Sequence, residues 1–386
     1  MIGGIAFNQT SNFILTCVPM FLLMGQFLNY SGIASDLYEI GYKWMGRLRG
    51  GLAMASVMAC AAMGAITGSS SATAATIGSF AIPEMKKKGY DTKLAVGSMS
   101  AAGTLAILIP PSVPMILYGS ITDTSVGKLF IAGLIPGIML ATIFILYIGI
   151  VARRRPGYAP PGISFPWKDR VLSLRKGWTV GALFTIVLGT IYLGVCTPSE
   201  AGALGALGAL VIATLAYRTM NRENFIEAIL ATIKTTTMIL MIVVGAMIFA
   251  YILTLAQIPM NICTWVSSLP VSKWGVLIGI NIFLLVMGFF MDVAAIIFIT
   301  MPIIFPIIIK LGFDPIWFGV LVTVNMEMAM ITPPIGLNLF IIKGVSTATF
   351  GEIIRGSFPF LICTILALAI LMLFPDIALW LPSMME

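Results

Sequence analysis

The chain has 386 residues, of which 59% are hydrophobic and only 10% are charged, with a formal net charge of +7 and no histidine. Soluble domains carry about 25% charged residues, and a soluble fold of this size still exposes about a quarter of the surface of its unfolded chain. This composition, with a mean hydropathy of +1.04, therefore excludes a soluble protein. The basic residues lie in short loops between apolar runs, which indicates the positive-inside bias of a membrane protein rather than nucleic-acid binding.

The first half of the chain, residues 1–152, begins with a predicted helix over 13–31 and a basic loop. The apolar stretch 51–83 lies between that loop and the lysines at 86–88, and both loops are predicted to be cytoplasmic. Each full crossing needs about 20 residues, so this stretch is too short to cross twice and predicts a re-entrant hairpin. Its tip, 64–73, is small and rich in hydroxyl groups, as suits backbone that lines a wet cavity.

A broken span follows the first hairpin. The segment 94–121 contains Pro110-Pro111, and two prolines together are expected to unwind a helix, because each lacks an N–H and clashes with the preceding turn. A simple kink is the alternative for one such pair. The next segment, 128–151, is predicted to return the chain to the cytoplasm.

Residues 153–223 are predicted to form a cytoplasmic linker and connecting helices. The linker, 153–176, is rich in proline and charge, and two apolar crossings follow it over 178–195 and 200–217. A long helix over 224–255 then opens the second half, residues 224–386.

The two halves share an internal repeat. The segment Pro83–Asp91 resembles Pro306–Asp314, in which Pro, Lys, Gly and Asp recur at an offset of 223 residues, and the same shift takes Pro110-Pro111 onto Pro333-Pro334. Repeats of this kind are typical of transporters. Equivalent loops are strongly basic in the first half and nearly uncharged in the second, so the halves are predicted to be inverted in the membrane.

The second half repeats the hairpin and the broken span. A hairpin is predicted over 274–306 with its tip at 287–294, and a broken span over 316–342. Unwound backbone exposes carbonyl groups that suit Na⁺, and half-helix N-termini suit carboxylates. Asp292 and Glu327 lie in apolar segments, where a carboxylate indicates function by default, the alternative being a hydrogen-bonded cap.

Four segments carry a resemblance to a known family: GAITGSSSATAATIG (64–78), GTLAILIPPS (103–112), GFFMDVAA (288–295) and ITPPIGLNLF (331–340). With them the chain resembles, over essentially its whole length, the large membrane subunit of tripartite ATP-independent periplasmic (TRAP) transporters, the DctM-like family. The resemblance implies an all-α polytopic membrane protein of two inverted repeats that works as an elevator. It also implies Na⁺ coupling, a small four-helix membrane subunit and a periplasmic substrate-binding protein.

The same resemblance implies two sodium sites. The first would use Gly64, Thr67, Ala106, Ile109 and Pro111, and the second Gly288, Ala329, Thr332 and Ile335. Ala106 and Ala329 stand where the family often has Gly. A substrate site between the hairpin tips is predicted to be lined by Ser69, Ser70, Ser71, Thr73, Asp292 and Asn338.

We therefore expect a transport subunit of the bacterial inner membrane that imports a small organic anion, such as a C4-dicarboxylate, a sialic acid or another sugar acid. Alternatives are a stand-alone carboxylate/cation symporter and a passive channel. A membrane enzyme is disfavoured, because the sequence shows no His and no paired titratable groups. Because Lys43, Arg47 and Arg49 follow the helix 13–31, residues 1–12 are expected outside. The family usually has a further span before this helix, and its loss would expose the helix face that includes Cys17 and Gly25 to lipid or to the small subunit.

Overall fold

The computed structural model describes residues 4 and 7, 11–268 and 270–385. The predicted external position of residues 1–12 falls largely outside these described residues. Within the described part the protein is built from helices, with no β-strand. The predicted fold class, an all-α polytopic membrane protein, is confirmed.

The α-helices of the described part are numbered here in chain order. They are α1 Cys17–Asn29, α2 Ile33–Met45, α3 Gly51–Thr67, α4 Ser70–Lys87, α5 Thr92–Leu108, α6 Val113–Thr122, α7 Val126–Arg154, α8 Trp167–Leu174, α9 Trp178–Tyr192, α10 Pro198–Val211, α11 Arg222–Leu255, α12 Ile258–Ser268, α13 Lys273–Gly288, α14 Val293–Lys310, α15 Pro315–Ile331, α16 Leu337–Val345, α17 Phe350–Leu373 and α18 Asp376–Leu379.

Seven helical segments of the described chain are long and apolar enough to cross a membrane by length and composition. One of them, Thr92–Thr122, combines α5 and α6 across the first break. Helices α1 and α2 meet at 71°, and counting them as one bent span would raise the number to eight. The chain is therefore a multi-pass membrane protein.

The repeat seen in the sequence sets the helix boundaries. Helices α4 and α14 begin and end at positions 223 residues apart, and so do α5 and α15. Asp91 and Asp314 each cap the helix that follows, since one carboxylate oxygen accepts the backbone N–H groups of the second and third residues after it. Each half thus contains a hairpin, α3–α4 or α13–α14, followed by a broken helix, α5–α6 or α15–α16.

The broken helices form the centre of the molecule. Helix α5 is almost entirely buried between α3, α4 and α17, and α15 packs between α13 and α17. Small residues allow the closest approaches: a β-carbon on Gly97 of α5 would lie 2.1 Å from the carbonyl oxygen of Gly356 in α17. Helices α1, α10 and α11 pack together beside this centre, and we call these three the scaffold.

Two expectations for the N-terminal region were wrong. The face of α1 that contains Cys17 and Gly25 is buried, because Cys17 packs against Ser199 of α10 and Gly25 against the backbone of Thr67. The second, a basic loop directly after α1, was wrong for Lys43, which lies in helix α2, whereas Arg47 and Arg49 do lie in the turn that follows α2. The apolar face of α2 packs on α3.

Candidate functional site

Both hairpin tips and both helix breaks face one small cavity of about 140 Å³. Four helices begin at its wall: α4 and α14 after the hairpin tips, and α6 and α16 after the breaks. Helices α1 and α11 of the scaffold supply the remaining lining, with Leu22, Thr235, Met238 and Ile239. The volume is below the roughly 300–1,000 Å³ of clefts for drug-sized ligands, so the cavity suits a small molecule.

Helix N-termini bring partial positive charge to the cavity, and the carboxylate of Asp292 brings negative charge to the same wall. The first turn of a helix has N–H groups without intrahelical partners, and the helix dipole adds partial positive charge there. Three of the four N-termini are capped by a side-chain oxygen: Ser69 for α4, Ser112 for α6 and Asp292 for α14. The fourth, α16, follows Gly336 and has no side-chain cap. Its first turn is therefore open to an anionic ligand.

Four of the six residues predicted for the substrate site line this cavity. Ser69, Ser70 and Ser71 come from the first hairpin tip, and Asp292 comes from the second. Asp292 is exposed, and its Oδ2 accepts the backbone N–H of Ala294 at 3.1 Å. Asp292 thus caps the N-terminus of α14 and also lines the cavity.

The other two predicted residues lie behind the cavity wall. Asn338 is fully buried, and its Nδ2 donates to Ser70 Oγ at 2.8 Å and to the carbonyl oxygen of Ser100 at 3.0 Å. Thr73 is also buried, with its Oγ1 3.0 Å from Thr67 Oγ1. These two side chains hold the first hairpin in place from within rather than facing the cavity.

The residues predicted for the first sodium site come together around the first break. A β-carbon at Gly64 would lie 2.6 Å from Cα of Ala106, and one at Gly68 would lie 2.5 Å from the carbonyl oxygen of Pro111. Thr67 Oγ1 donates to the carbonyl oxygen of Met63 at 2.9 Å, which leaves the hydroxyl oxygen able to accept a further contact. Ile109, directly before the doublet, is buried at the end of α5.

The second sodium-site prediction has matching geometry around the second break. A β-carbon at Gly288 would lie 2.5 Å from Cβ of Ala329, the repeat equivalent of Ala106. Thr332 Oγ1 donates to the carbonyl oxygen of Met328 at 2.6 Å, as Thr67 does in its own helix. Ile335 has a 43% exposed side chain, so only its backbone is placed to contribute.

The available donor set decides what kind of cation could bind here. The described residues contain no group of three or more His, Cys, Asp or Glu side chains that could hold a metal ion. The first break instead offers the carbonyl oxygen of Pro111 beside the hairpin tip that carries the Thr67 hydroxyl, and the second break offers the hydroxyl of Thr332. Oxygen donors of low charge fit a hard monovalent cation such as Na⁺ and would not fit a tightly held transition metal.

Sequence reasoning missed two polar residues, Asn325 and Thr235, and it singled out Glu327 without predicting its surroundings. Asn325 Nδ2 donates to Asn281 Oδ1 at 2.6 Å and so links α15 to the first arm of the second hairpin. Neither carboxylate oxygen of the fully buried Glu327 has a hydrogen-bond partner. Thr235 of α11 was also missed, although the run from Lys234 to Thr237 is an unusually polar interruption of an apolar helix.

Comparison with known proteins identifies the family. The family model described as "Tripartite ATP-independent periplasmic transporter, DctM component" matches residues 2–377. The chain belongs to this family. A relative named as the C4-dicarboxylate TRAP transporter large permease protein DctM of Pseudomonas aeruginosa is 42% identical over 98% of this chain and 88% of its own length.

The names of other relatives state different transported substrates. The sialic acid TRAP transporter large permease protein SiaM of Vibrio cholerae is 30% identical over 100% of this chain and 88% of its own length. The ectoine/5-hydroxyectoine TRAP transporter large permease protein UehC of Ruegeria pomeroyi is 32% identical over 95% of this chain and 85% of its own length. This DctM-family chain is thus a transporter permease subunit and not an enzyme.

A solved structure shares the fold of this DctM-family chain. The YdaH transporter of Alcanivorax borkumensis, described as having an unusual topology, superposes with a TM-score of 0.72 over 98% of this chain and 87% of its own. The sequence identity is 13%, so the likeness concerns the fold alone.

Proposed function

We propose that the chain is the large permease subunit of a Na⁺-coupled TRAP system that imports a C4-dicarboxylate across the bacterial inner membrane. The observation that carries the proposal is the convergence of four helix N-termini on one small cavity between the hairpin tips. Such N-termini favour carboxylate groups through the helix dipole, and the first turn of α16 also offers N–H groups without a side-chain cap. The dicarboxylate class is favoured by the name of the relative at 42% identity.

Sodium coupling is supported by the two breaks. At the first break the threonine hydroxyl comes from Thr67 in the adjoining hairpin tip, whereas at the second it comes from Thr332 in the break itself. The hairpins approach the broken helices closely at Gly64 and Gly288. A cation held at either break would join the hairpin tip to the broken helix and so stabilise the cavity wall. Binding of the ion and of the anion would then favour one another, which is the requirement for coupled transport.

Movement of the site across the membrane is proposed to follow an elevator mechanism. The hairpins and broken helices pack closely on one another, and the scaffold meets them through α1 and α11, with Gly25 of α1 against the backbone of Thr67 in the first hairpin. A block of this kind could slide against α1 and α11 while keeping the cavity wall intact. The system would also need a small membrane subunit and a periplasmic binding protein, as the family name implies.

The test is uptake into proteoliposomes that contain the chain and its small membrane subunit, with the binding protein outside. We expect radiolabelled succinate to accumulate under an inward Na⁺ gradient and not under an equal K⁺ gradient. Accumulation by the chain alone would instead favour a stand-alone symporter, and flux without accumulation would favour a channel. A matched assay with N-acetylneuraminate would reveal a sugar-acid cargo.

A further inference from the structure

A second cavity, of about 530 Å³, lies away from the hairpin tips, between α5, α7 and α17. Four cationic side chains reach it: Lys93 at the start of α5, Arg154 and Arg155 at the end of α7, and Arg355 in the second turn of α17. Among the described residues, no acidic side chain lines it. Three structural elements therefore bring positive charge to a single opening.

The acids near this opening are already engaged. Asp91 caps α5 by accepting the N–H groups of Lys93 and Leu94, and Glu352 caps α17 by accepting the N–H and hydroxyl of Thr349 at 2.8 Å each. The ion pairs of the described residues involve other lysines and include none of the four cations. None of the four cations is therefore neutralised by an ion pair of the described residues, although the Glu352 carboxylate interacts electrostatically with Lys93.

The interior of the cavity is mainly apolar, and the side chains that form its wall are closely packed. Gly356 packs against the backbone of Lys93, since a β-carbon at Gly356 would lie only 2.2 Å from the carbonyl oxygen of Lys93. Tyr147 meets Phe360 edge to face with ring centroids 5.0 Å apart. Arg155 Nη1 donates to Tyr158 OH at 3.2 Å, which orients one guanidinium at the rim. A basic rim over an apolar wall suits an amphiphile with an anionic head.

The location in the fold agrees with this chemistry. Lys93 follows the lysine-rich turn after α4, and Arg154 and Arg155 end a spanning helix just before the linker. The positive-inside bias assigns these ends to the cytoplasmic side. Basic pockets between spanning helices on that side bind anionic lipid headgroups.

We propose that this cavity binds the phosphate group of an anionic phospholipid, with one acyl chain against Phe360 and Pro359. Arg154 and Arg355, which come from different helices and are in no ion pair of the described residues, contact the phosphate. A lipid so held joins the end of α7 to the start of α17. The site is independent of the transport cavity and of the identity of the cargo.

The test is native mass spectrometry of the full chain in detergent, titrated with phosphatidylglycerol or with phosphatidylcholine of the same acyl chains. The double variant Arg154→Gln/Arg355→Gln is compared with Arg153→Gln/Lys168→Gln, which removes the same charge from exposed positions that do not line the cavity. We expect the first variant to weaken phosphatidylglycerol binding about tenfold, with phosphatidylcholine binding unchanged. The control should retain wild-type affinity.

Three results would overturn the proposal. Equal losses in both double variants would show that only overall charge matters, and equal binding of the two lipids would exclude recognition of the anionic headgroup. Displacement of phosphatidylglycerol by millimolar inorganic phosphate would assign the cations to a free anion instead of a lipid. Unchanged unfolding temperatures of the lipid-free variants would confirm that each is folded, so that the binding comparison is valid.

Discussion

Asn338 and Ser70, which are 268 positions apart in the chain, are joined by a buried hydrogen bond of 2.8 Å between Nδ2 and Oγ. Asn338 belongs to the broken helix of the second half, and Ser70 begins the second arm of the hairpin of the first half. The same amide also reaches the carbonyl oxygen of Ser100 in α5. One side chain therefore connects three elements that surround the transport cavity, and it couples the two repeats directly.

Removal of this link should cost stability. We expect Asn338→Ala to lower the free energy of unfolding by about 1–3 kcal/mol, because Ser70 and the Ser100 carbonyl lose a buried partner. The measurement is thermal or denaturant unfolding of the purified chain. Asn261→Ala, at an exposed position in α12, is the matched control. Equal stability of the two variants would contradict the bridging role of Asn338.

Close packing of the hairpins on the broken helices should be sensitive to one added methyl group. Gly64→Ala and Gly288→Ala place a β-carbon 2.5–2.6 Å from Ala106 or Ala329, and such overpacking costs about 1–3 kcal/mol. We expect both variants to raise the Na⁺ concentration needed for half-maximal uptake. Gly245→Ala in α11 meets nothing within 4 Å and should behave as wild type. A wild-type response in all three variants would show that the hairpin contacts are adaptable.

The fold was largely predictable where local rules act, and the site only in part. The Pro-Pro doublets predicted the breaks, because helix interruption is a local effect of proline. The 223-residue offset then predicted that the hairpin and the break of the first half recur in the second. Helix α2 was missed, since Lys43 near its end was assigned to a loop together with Arg47 and Arg49, although the apolar face of the helix is buried. The position of Asn338 behind the cavity wall depends on Ser70 and Ser100, which only the tertiary structure brings near.

The threonines at the breaks offer a test of ion coupling. Thr67→Ala and Thr332→Ala each remove a hydroxyl oxygen beside unwound backbone, and we expect each to raise the Na⁺ concentration for half-maximal uptake several-fold. Thr142→Ala is a close control, because Thr142 makes the same hydroxyl-to-carbonyl bond within α7, at 2.7 Å, but is exposed. If uptake by both break variants keeps the Na⁺ dependence of the control, these hydroxyls are not ligands.

The inverted arrangement of the halves predicts opposite exposure of equivalent turns. Lys87 is the last residue of α4, and its repeat equivalent, Lys310, is the last residue of α14. Leu311 directly follows Lys310. The first turn is rich in lysine and the second has only Lys310, so we expect them on the cytoplasmic and periplasmic sides respectively. Single cysteines at Lys87→Cys and Leu311→Cys, in a background lacking the five native cysteines, should react with an impermeant maleimide from opposite sides. Lys168→Cys, in the linker, serves as the cytoplasmic reference. Reaction of both test positions from one side would show that the halves are parallel, and the two sodium sites would then lose their symmetric relation to the membrane.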